Sequence, residues 1–241
     1  MTFRFDELTW PEVAALNKAT PLLLPIGNLP LPKDLSEIIR TDQPVGLLPS
    51  IPFGWAGSVL EVQQPAFAAL VRNLYSNLLE DGFLNITALV PPGVDLGGDI
   101  LQRVSPANSL PVHQPSASDT EKVILLPIGH TEQHGYHAPL STDTIIIEAI
   151  AQGVAQAVPE QAVCLPVFPY GVSTHRRSFP GTFNVGGRTF EDFWLSLLDA
   201  LVARGFRRFY LMSGHGGNSS FLVNVVKYAG EKYPEIFCAT S

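Results

Sequence analysis

A chain of 241 residues is long enough for one large domain or two small ones, and 46% hydrophobic against 15% charged residues excludes a disordered polypeptide. A net charge of −7, with no Lys/Arg cluster, argues against a nucleic-acid partner. No apolar run reaches the roughly 18 residues of a membrane span, and the opening M-T-F-R-F-D-E-L-T-W lacks the apolar core of a signal peptide, so no membrane partner is expected and a reducing cytoplasm is the default. The two cysteines, Cys164 and Cys238, lie in apolar strand-like runs and read as small buried hydrophobes, not as a disulfide or a nucleophile.

In chain order, Leu8 to Lys18 reads as a short helix capped by Thr9, with Pro11 in its first turn. A strand-like run from Pro21 to Ile26 then ends in P-I-G (Pro25 to Gly27), and P-F-G follows at Pro52 to Gly54. Phe67 opens an amphipathic segment with Leu70, Leu74 and Leu78 at helical spacing, closed by Gly82. Pro91 to Thr120 is rich in Pro, Ser and Asn and reads as a linker; Asp95 and Asp99, in V-D-L-G-G-D, are turn residues before they are a site. The second half repeats the series: P-I-G at Pro127 to Gly129, P-Y-G at Pro169 to Gly171, and an amphipathic segment from Phe190 to Gly205 carrying Phe193, Leu197 and Leu201. With the strand that follows each closing glycine, four matched elements in one order suggest an internal duplication, against the blander reading that any two βα units look alike. The copies differ in chemistry. After P-I-G the first has Asn28-Leu29-Pro30-Leu31, and no histidine precedes His113.

The chemistry concentrates after the strand Val123 to Ile128, where Gly129 opens a polar loop with Glu132, His134, His137 and Asp143. Glu132 and His134, at i and i+2, point to one side of an extended segment. With Asp143 they make a mixed O/N donor set for a divalent transition ion, unless the loop is merely solvated. The next residues form a helix whose buried stripe is read as Ile146, Ala149, Ile150, Gly153, Val154 and Ala157, with Thr142 or Asp143 at its N-cap. Asp143 is thus either a ligand or a cap. After a strand at Ala162 to Phe168, the loop Pro169 to Arg188 holds His175, Arg176 and Arg177. Loops of that length tend to be functional; His175 lines a substrate pocket or is an ordinary exposed residue. The strand Arg207 to Met212 runs into S-G-H-G-G-N-S-S ahead of a helix from Phe221 to Glu231, placing His215 at a second strand end, where it can face Glu132 and His134.

T-E-Q-H-G (Thr131 to Gly135), T-D-T (Thr142 to Thr144), the P-Y-G…F-P-G-T run (Pro169 to Thr182) and G-H-G-G-N (Gly214 to Asn218) closely resemble the creatininase, or creatinine amidohydrolase, family, and L-T-W-P-E-V looks like that family's usual opening. The resemblance spans most of residues 121–241 and is a faint echo in the first half. It implies a three-layer α/β/α fold with mostly parallel strands, a metal-dependent hydrolase of amide-type C–N bonds, a small-molecule amide substrate and a homo-oligomer; the internal repeat adds the expectation of two repeated βα lobes. It further implies that Glu132, His134, Asp143 and His215 hold one or two divalent ions, Zn or Mn with Fe as a further candidate, the aspartate bridging a pair. Paired ions of this kind activate a shared water and polarise a carbonyl. Asn218 and Ser213 are near enough in sequence to fix the imidazole tautomers, and His175 with Asn218 are the catalytic candidates.

The chain departs from the pattern at Gly217, where creatininase itself has a glutamate ligand two residues after the last histidine. Relatives with G-H-G-G-N draw a late glutamate from an H-A-G-E-x-E-T-S-like segment; Ser241 falls in a further strand-like run, Ile236 to Ser241, ahead of any such segment. The expected organisation is therefore residues 1–92 as a degenerate lobe without metal motifs, 93–120 as linker, and 121–241 as a metal-binding lobe without the family's C-terminal segment. The rival to an amidohydrolase is a catalytically silent binding or scaffold protein of the same fold. A phosphate-binding nest at G-H-G-G-N is weaker, since neither G-x-x-x-x-G-K-[ST] nor G-x-G-x-x-G occurs.

Overall fold

The computed structural model describes residues 1–96, 102–105, 110 and 114–241. In chain order these are β1 (Thr2–Arg4), α1 (Trp10–Ala15), β2 (Leu22–Pro25), α2 (Ser36–Ile39), β3 (Val45–Leu47), α3 (Gln64–Glu80), β4 (Ile86–Leu89), β5 (Gln102–Val104), β6 (Val123–Ile128), α4 (Thr142–Ala157), β7 (Ala162–Cys164), α5 (Gly187–Ala203), β8 (Arg208–Ser213), α6 (Ser219–Lys232) and β9 (Phe237–Thr240). The strands form two sheets, β1-β3-β2-β4-β5 and β7-β6-β8-β9, with every strand pair parallel. Strand β5 lies inside the stretch read as linker, so part of that stretch is the edge of the first sheet; Asp99 lies outside the described residues.

Period-two alternation sorts the side chains into layers. On β2, Leu22, Leu24 and Ile26 enter the main core while Leu23 enters a second cluster with Leu35 and Val45, packed by Ile38 and Ile39 of α2. On β6, Ile124, Leu126 and Ile128 face the main core and Leu125 meets Ile147 and Ala151 of α4. Each sheet is thus covered on both faces, as parallel sheets require. The result is a layered α/β/α architecture with α3, α5 and α6 packed in the shared interior.

The two halves repeat one another in strand order and hydrogen bonds. Strand order β3-β2-β4-β5 matches β7-β6-β8-β9. Leu48 N–H donates to Leu23 O at 2.9 Å, as Leu165 does to Leu125 O at 2.9 Å; Gly27 N–H donates to Ile51 O at 2.8 Å, as Gly129 does to Phe168 O at 2.9 Å. Gly82 and Gly205, which close α3 and α5, take φ of 91° and 96°, a conformation other residues reach only with strain. The two halves share one core. Phe53 lies against Phe168, Phe193 and Trp194 at ring-centroid distances of 5.6, 6.4 and 6.3 Å, and Tyr170 Oη donates to Pro49 O at 2.6 Å.

Three local readings change. Helix α1 is shorter than Leu8 to Lys18, and its cap is a box in which Glu12 Oε2 accepts from Thr9 N–H at 2.7 Å and from its hydroxyl at 2.8 Å. The N-cap of α4 is Ser141, which places Asp143 in the first turn. The buried stripe of α4 is Asp143, Ile147 and Ala151; Ile145, Ile146, Ile150 and Val154 are exposed, together with Ala149, Gly153 and Ala157. Three consecutive isoleucines give the periodicity no unique phase, and the sheet selects the face that carries Asp143. Both cysteines are free and half-buried; burial pushes their thiols up to about 11 for Cys164 and about 12 for Cys238, so both stay protonated at neutral pH. Among the described residues no helix is long and apolar enough to cross a membrane.

Candidate metal centre

The parallel register sets the ends of β6 and β8 side by side, with Ile128 opposite Ser213. The loop after β6, the first turn of α4 and the residue two beyond β8 therefore converge on one point. The opening segment braces this loop: Leu140 N–H donates to Leu8 O and Ser141 N–H to Asp6 O, each at 2.9 Å. Four of the sequence-derived candidates meet there. His134 Nε2 lies 3.0 Å from Asp143 Oδ1, and His215 Nδ1 lies 3.1 Å from Glu132 Oε1 and 3.0 Å from Asp143 Oδ2. Glu132, Asp143 and His215 are buried, and His134 is half-buried.

The backbone decides which imidazole nitrogens face inward. His134 Nδ1 sits 3.0 Å from Glu132 O and His215 Nε2 sits 3.1 Å from Val172 O. A carbonyl only accepts, so each of these nitrogens carries hydrogen. The remaining nitrogen of each ring is aimed at carboxylate oxygens. A neutral imidazole would present a lone pair to an anion there; the geometry is stable only with a proton or a cation between them. Without a cation the protons supply the attraction. His215, although burial pulls it down, is held up at about 9 by hydrogen bonds to Asp143 and Glu132. His134 is raised by its hydrogen bond to Asp143. Burial opposes ionisation of Asp143 and Glu132, yet the facing histidines hold Asp143 down at about 2 and Glu132 below its ordinary value. Asp143 Oδ2 is buried and makes no aligned hydrogen bond. Two carboxylates and two tautomer-fixed imidazoles, with Asp143 Oδ2 left without an aligned hydrogen bond, fit a divalent ion by donor chemistry. Glu132, His134 and Asp143 each offer a donor atom within 4.8 Å of the others, and so do His130, Glu132 and His215.

His130 is the neighbour that the sequence reading passed over. It shares the parity of Glu132 and His134 along the chain (130, 132, 134), which is the signal that points to it. Its ring is fully buried, and burial pushes it down to about 3, with the charge of His215 adding to the fall.

The other candidates are placed differently. Asn218 makes no hydrogen bond to an imidazole among the described residues: its Oδ1 accepts from Val172 N–H at 2.9 Å and its Nδ2 donates to Gly129 O at 3.3 Å. Ser213 Oγ likewise donates to a backbone oxygen, that of His215, at 2.7 Å. Backbone carbonyls, not these side chains, set the two tautomers. His137 and His175 are exposed and outside the cluster. The loop bearing His175 is nevertheless tied to the centre, because Ser173 Oγ donates to Glu132 Oε2 at 2.9 Å. The first half anchors that loop. Arg177 Nη1 donates to Asp81 Oδ1 and Gly181 N–H to Asp81 Oδ2, each at 2.8 Å. The departure at Gly217 has a steric basis: a Cβ there would lie 2.2 Å from Val172 O and 2.4 Å from His215 Nε2, on top of the hydrogen bond that fixes His215.

Comparison with known proteins locates the likeness in this same half. The chain is 33% identical over 112 residues to creatinine amidohydrolase from Pseudomonas putida, covering 44% of this chain and 42% of the relative. It is 34% identical over 126 residues to a mycofactocin precursor peptide peptidase from Mycolicibacterium smegmatis (48% and 50%), and 32% identical over 108 residues to a 3-dehydro-scyllo-inosose hydrolase from Thermotoga maritima (44% and 34%). It thus spans half or less of the length of these curated relatives. A crystal structure of creatinine amidohydrolase superposes with a TM-score of 0.49 at 28% identity, covering 52% of this chain and 51% of that one. The creatininase family model, described as creatinine amidohydrolase, matches residues 113–240, more than half of the sequence and all of the residues that converge on the centre. On that match, the chain belongs to the creatininase family.

Proposed function

We propose that this chain is a metal-dependent amidohydrolase of the creatininase type, hydrolysing a cyclic or linear amide C–N bond, with Glu132, His134, Asp143 and His215 holding one or two divalent ions, zinc or manganese. The observation that carries the reading is the pair of inward nitrogens of His134 and His215, each turned onto a carboxylate by a backbone carbonyl. A divalent ion held there supplies an activated water and polarises the amide carbonyl. Around it, Ser173 orients Glu132 and Asn218 holds the backbone of Val172. His175, two residues beyond Ser173 on the exposed part of the loop, is the residue this reading assigns to substrate contact, outside the ligand cluster. The first half, residues 1–92 with β5 as its edge strand, is in this reading a degenerate copy joined through the rest of 93–120 to the metal-bearing half, 121–241. The relatives' names span a creatinine amidohydrolase, a peptidase and an inosose hydrolase; a small amide is the substrate class the donor set suits.

A second reading, a silent binding protein of the same fold, is favoured by one observation: Gly217 leaves no space for a further carboxylate. One experiment separates them. The full chain is stripped with chelator, reloaded with Zn²⁺ or Mn²⁺, assayed for bound metal by mass spectrometry, and offered creatinine, short peptides and simple lactams. The expectation is one or two ions per chain, amine release that disappears on chelation, and lower metal content in His134→Ala and Asp143→Asn. Bound metal with no turnover on any amide favours the silent protein; no bound metal removes the centre altogether.

A further inference from the structure

We propose that His130 is a positioning residue for the cation site, a neutral imidazole that holds His215 and the 171–173 loop in place and is not itself a ligand. The inference rests on the ligand set of the preceding proposal. His130 stands one residue past Gly129, whose N–H is fixed on Phe168 O at 2.9 Å. Its Nδ1 accepts from Gly171 N–H at 2.9 Å. A neutral imidazole has one lone pair, and this contact uses it, so the ring hydrogen sits on Nε2. Ligation through Nε2 would move that hydrogen to Nδ1 and set it against the Gly171 N–H, donor against donor. Proximity to Glu132 and His215 therefore does not make His130 a ligand.

What the ring does instead follows from its neighbours. Its centroid lies 4.4 Å from that of His215, tilted by 39°, so it covers one face of the ligating ring. The two imidazoles grip consecutive residues of one segment: His130 accepts from Gly171 N–H, and His215 donates to Val172 O. Asn218 closes the circuit, accepting from Val172 N–H and donating to Gly129 O. Ser173, next along the segment, donates to Glu132. One buried ring thus couples the carboxylate arm of the site to its glycine-loop arm. The Phe183 carbonyl lies near enough to favour the protonated ring but outside hydrogen-bond geometry with Nε2. Because Nδ1 accepts from Gly171 N–H, the ring is neutral and adds no positive charge beside the cation.

The test uses Zn²⁺ titration calorimetry and the visible absorption spectrum of the Co²⁺-substituted full chain, with thermal unfolding of each metal-free variant alongside. His130→Ala removes ring and acceptor. His130→Asn keeps an acceptor where Nδ1 stood, and His130→Phe keeps only the ring. The expected result is unchanged stoichiometry, about 10–100-fold weaker Zn²⁺ binding in His130→Ala and His130→Phe, a shifted Co²⁺ spectrum, and recovery of most of the affinity in His130→Asn. A wild-type chain that binds no Zn²⁺ overturns the ligand set itself. Where wild type binds, loss of one ion per chain in all three variants makes His130 a ligand. Unchanged affinity in His130→Ala, with only a lower Tm, makes it core filling. Either result overturns the proposal.

Discussion

The two halves of this molecule share a strand order and even matching inter-strand hydrogen bonds, yet among the described residues only the second gathers a candidate metal-ligating cluster. The difference begins one residue after equivalent glycines. Past Gly27 come Asn28 and Leu29, and Leu29 turns into the cluster beneath its own sheet. Past Gly129 come His130, Thr131 and Glu132, and the acid meets His215 at 3.1 Å. The backbone of a βα unit presents a strand end at a crevice whatever its sequence; whether chemistry happens there depends on a few residues beyond that end. The first half, relieved of that role, acts as a wall. It supplies Phe53 to the shared core and Asp81 to the loop that bears Ser173 and His175.

The comparison breaks most visibly at the seam. Phe53→Ala empties a fully packed position between the halves and is expected to cost about 3–5 kcal/mol, read as a shift of a single denaturant transition. Two separate transitions, with the second half unaffected, would mean that the halves are independent domains.

A smaller effect sharpens the contrast in chemistry, because among the described residues the histidines all lie in the second half. His215 is raised from 6.5 to about 9, so its contribution to stability is complete below about pH 6.5 and lost as pH rises through 9. His130 is lowered from 6.5 to about 3, so its contribution is complete above about pH 6.5 and lost as pH falls toward 3. The metal-free protein is therefore expected to reach its highest Tm near pH 6.5. Bound Zn²⁺ reverses the alkaline limb, since the ion takes the place of the proton. Calorimetric scans of chelated protein across this range check it; a flat Tm from 6.5 to 9 would contradict the facing of His215 onto the carboxylates.

The smallest effect concerns the outer helices. Ile38 and Ile39 of α2 are packed on their sheet, whereas Ile145, Ile146 and Ile150 of α4 face solvent. Ile150→Glu should leave the stability of one chain within about 0.5 kcal/mol. If the homo-oligomer that the family resemblance implies uses that face, light scattering of the variant should fall toward 26.1 kDa. A wild-type chain already at that mass would remove the proposal.

Much of this was legible in the residues alone. Strand β6, the helices from Phe67 and Phe190 and the repeat follow from local periodicity and glycine punctuation, because each is dictated within a few residues; the grouping of Glu132, His134, Asp143 and His215 was implied by the family resemblance and is brought about by the parallel register of β6 and β8. What the sequence could not settle were matters of partner choice. The phase of α4 was hidden by three adjacent isoleucines and set by the sheet beneath it. The tautomers of His134 and His215 were set by carbonyls of Glu132 and Val172, one of them 43 residues away. Asn218 looked like a histidine's neighbour and instead bonds backbone. His130 gained its meaning only when folding set Gly171 against it. Local pattern determines which elements form and what they carry; only tertiary packing determines which atom of a side chain faces which partner, because that is fixed by contacts between residues far apart in the chain.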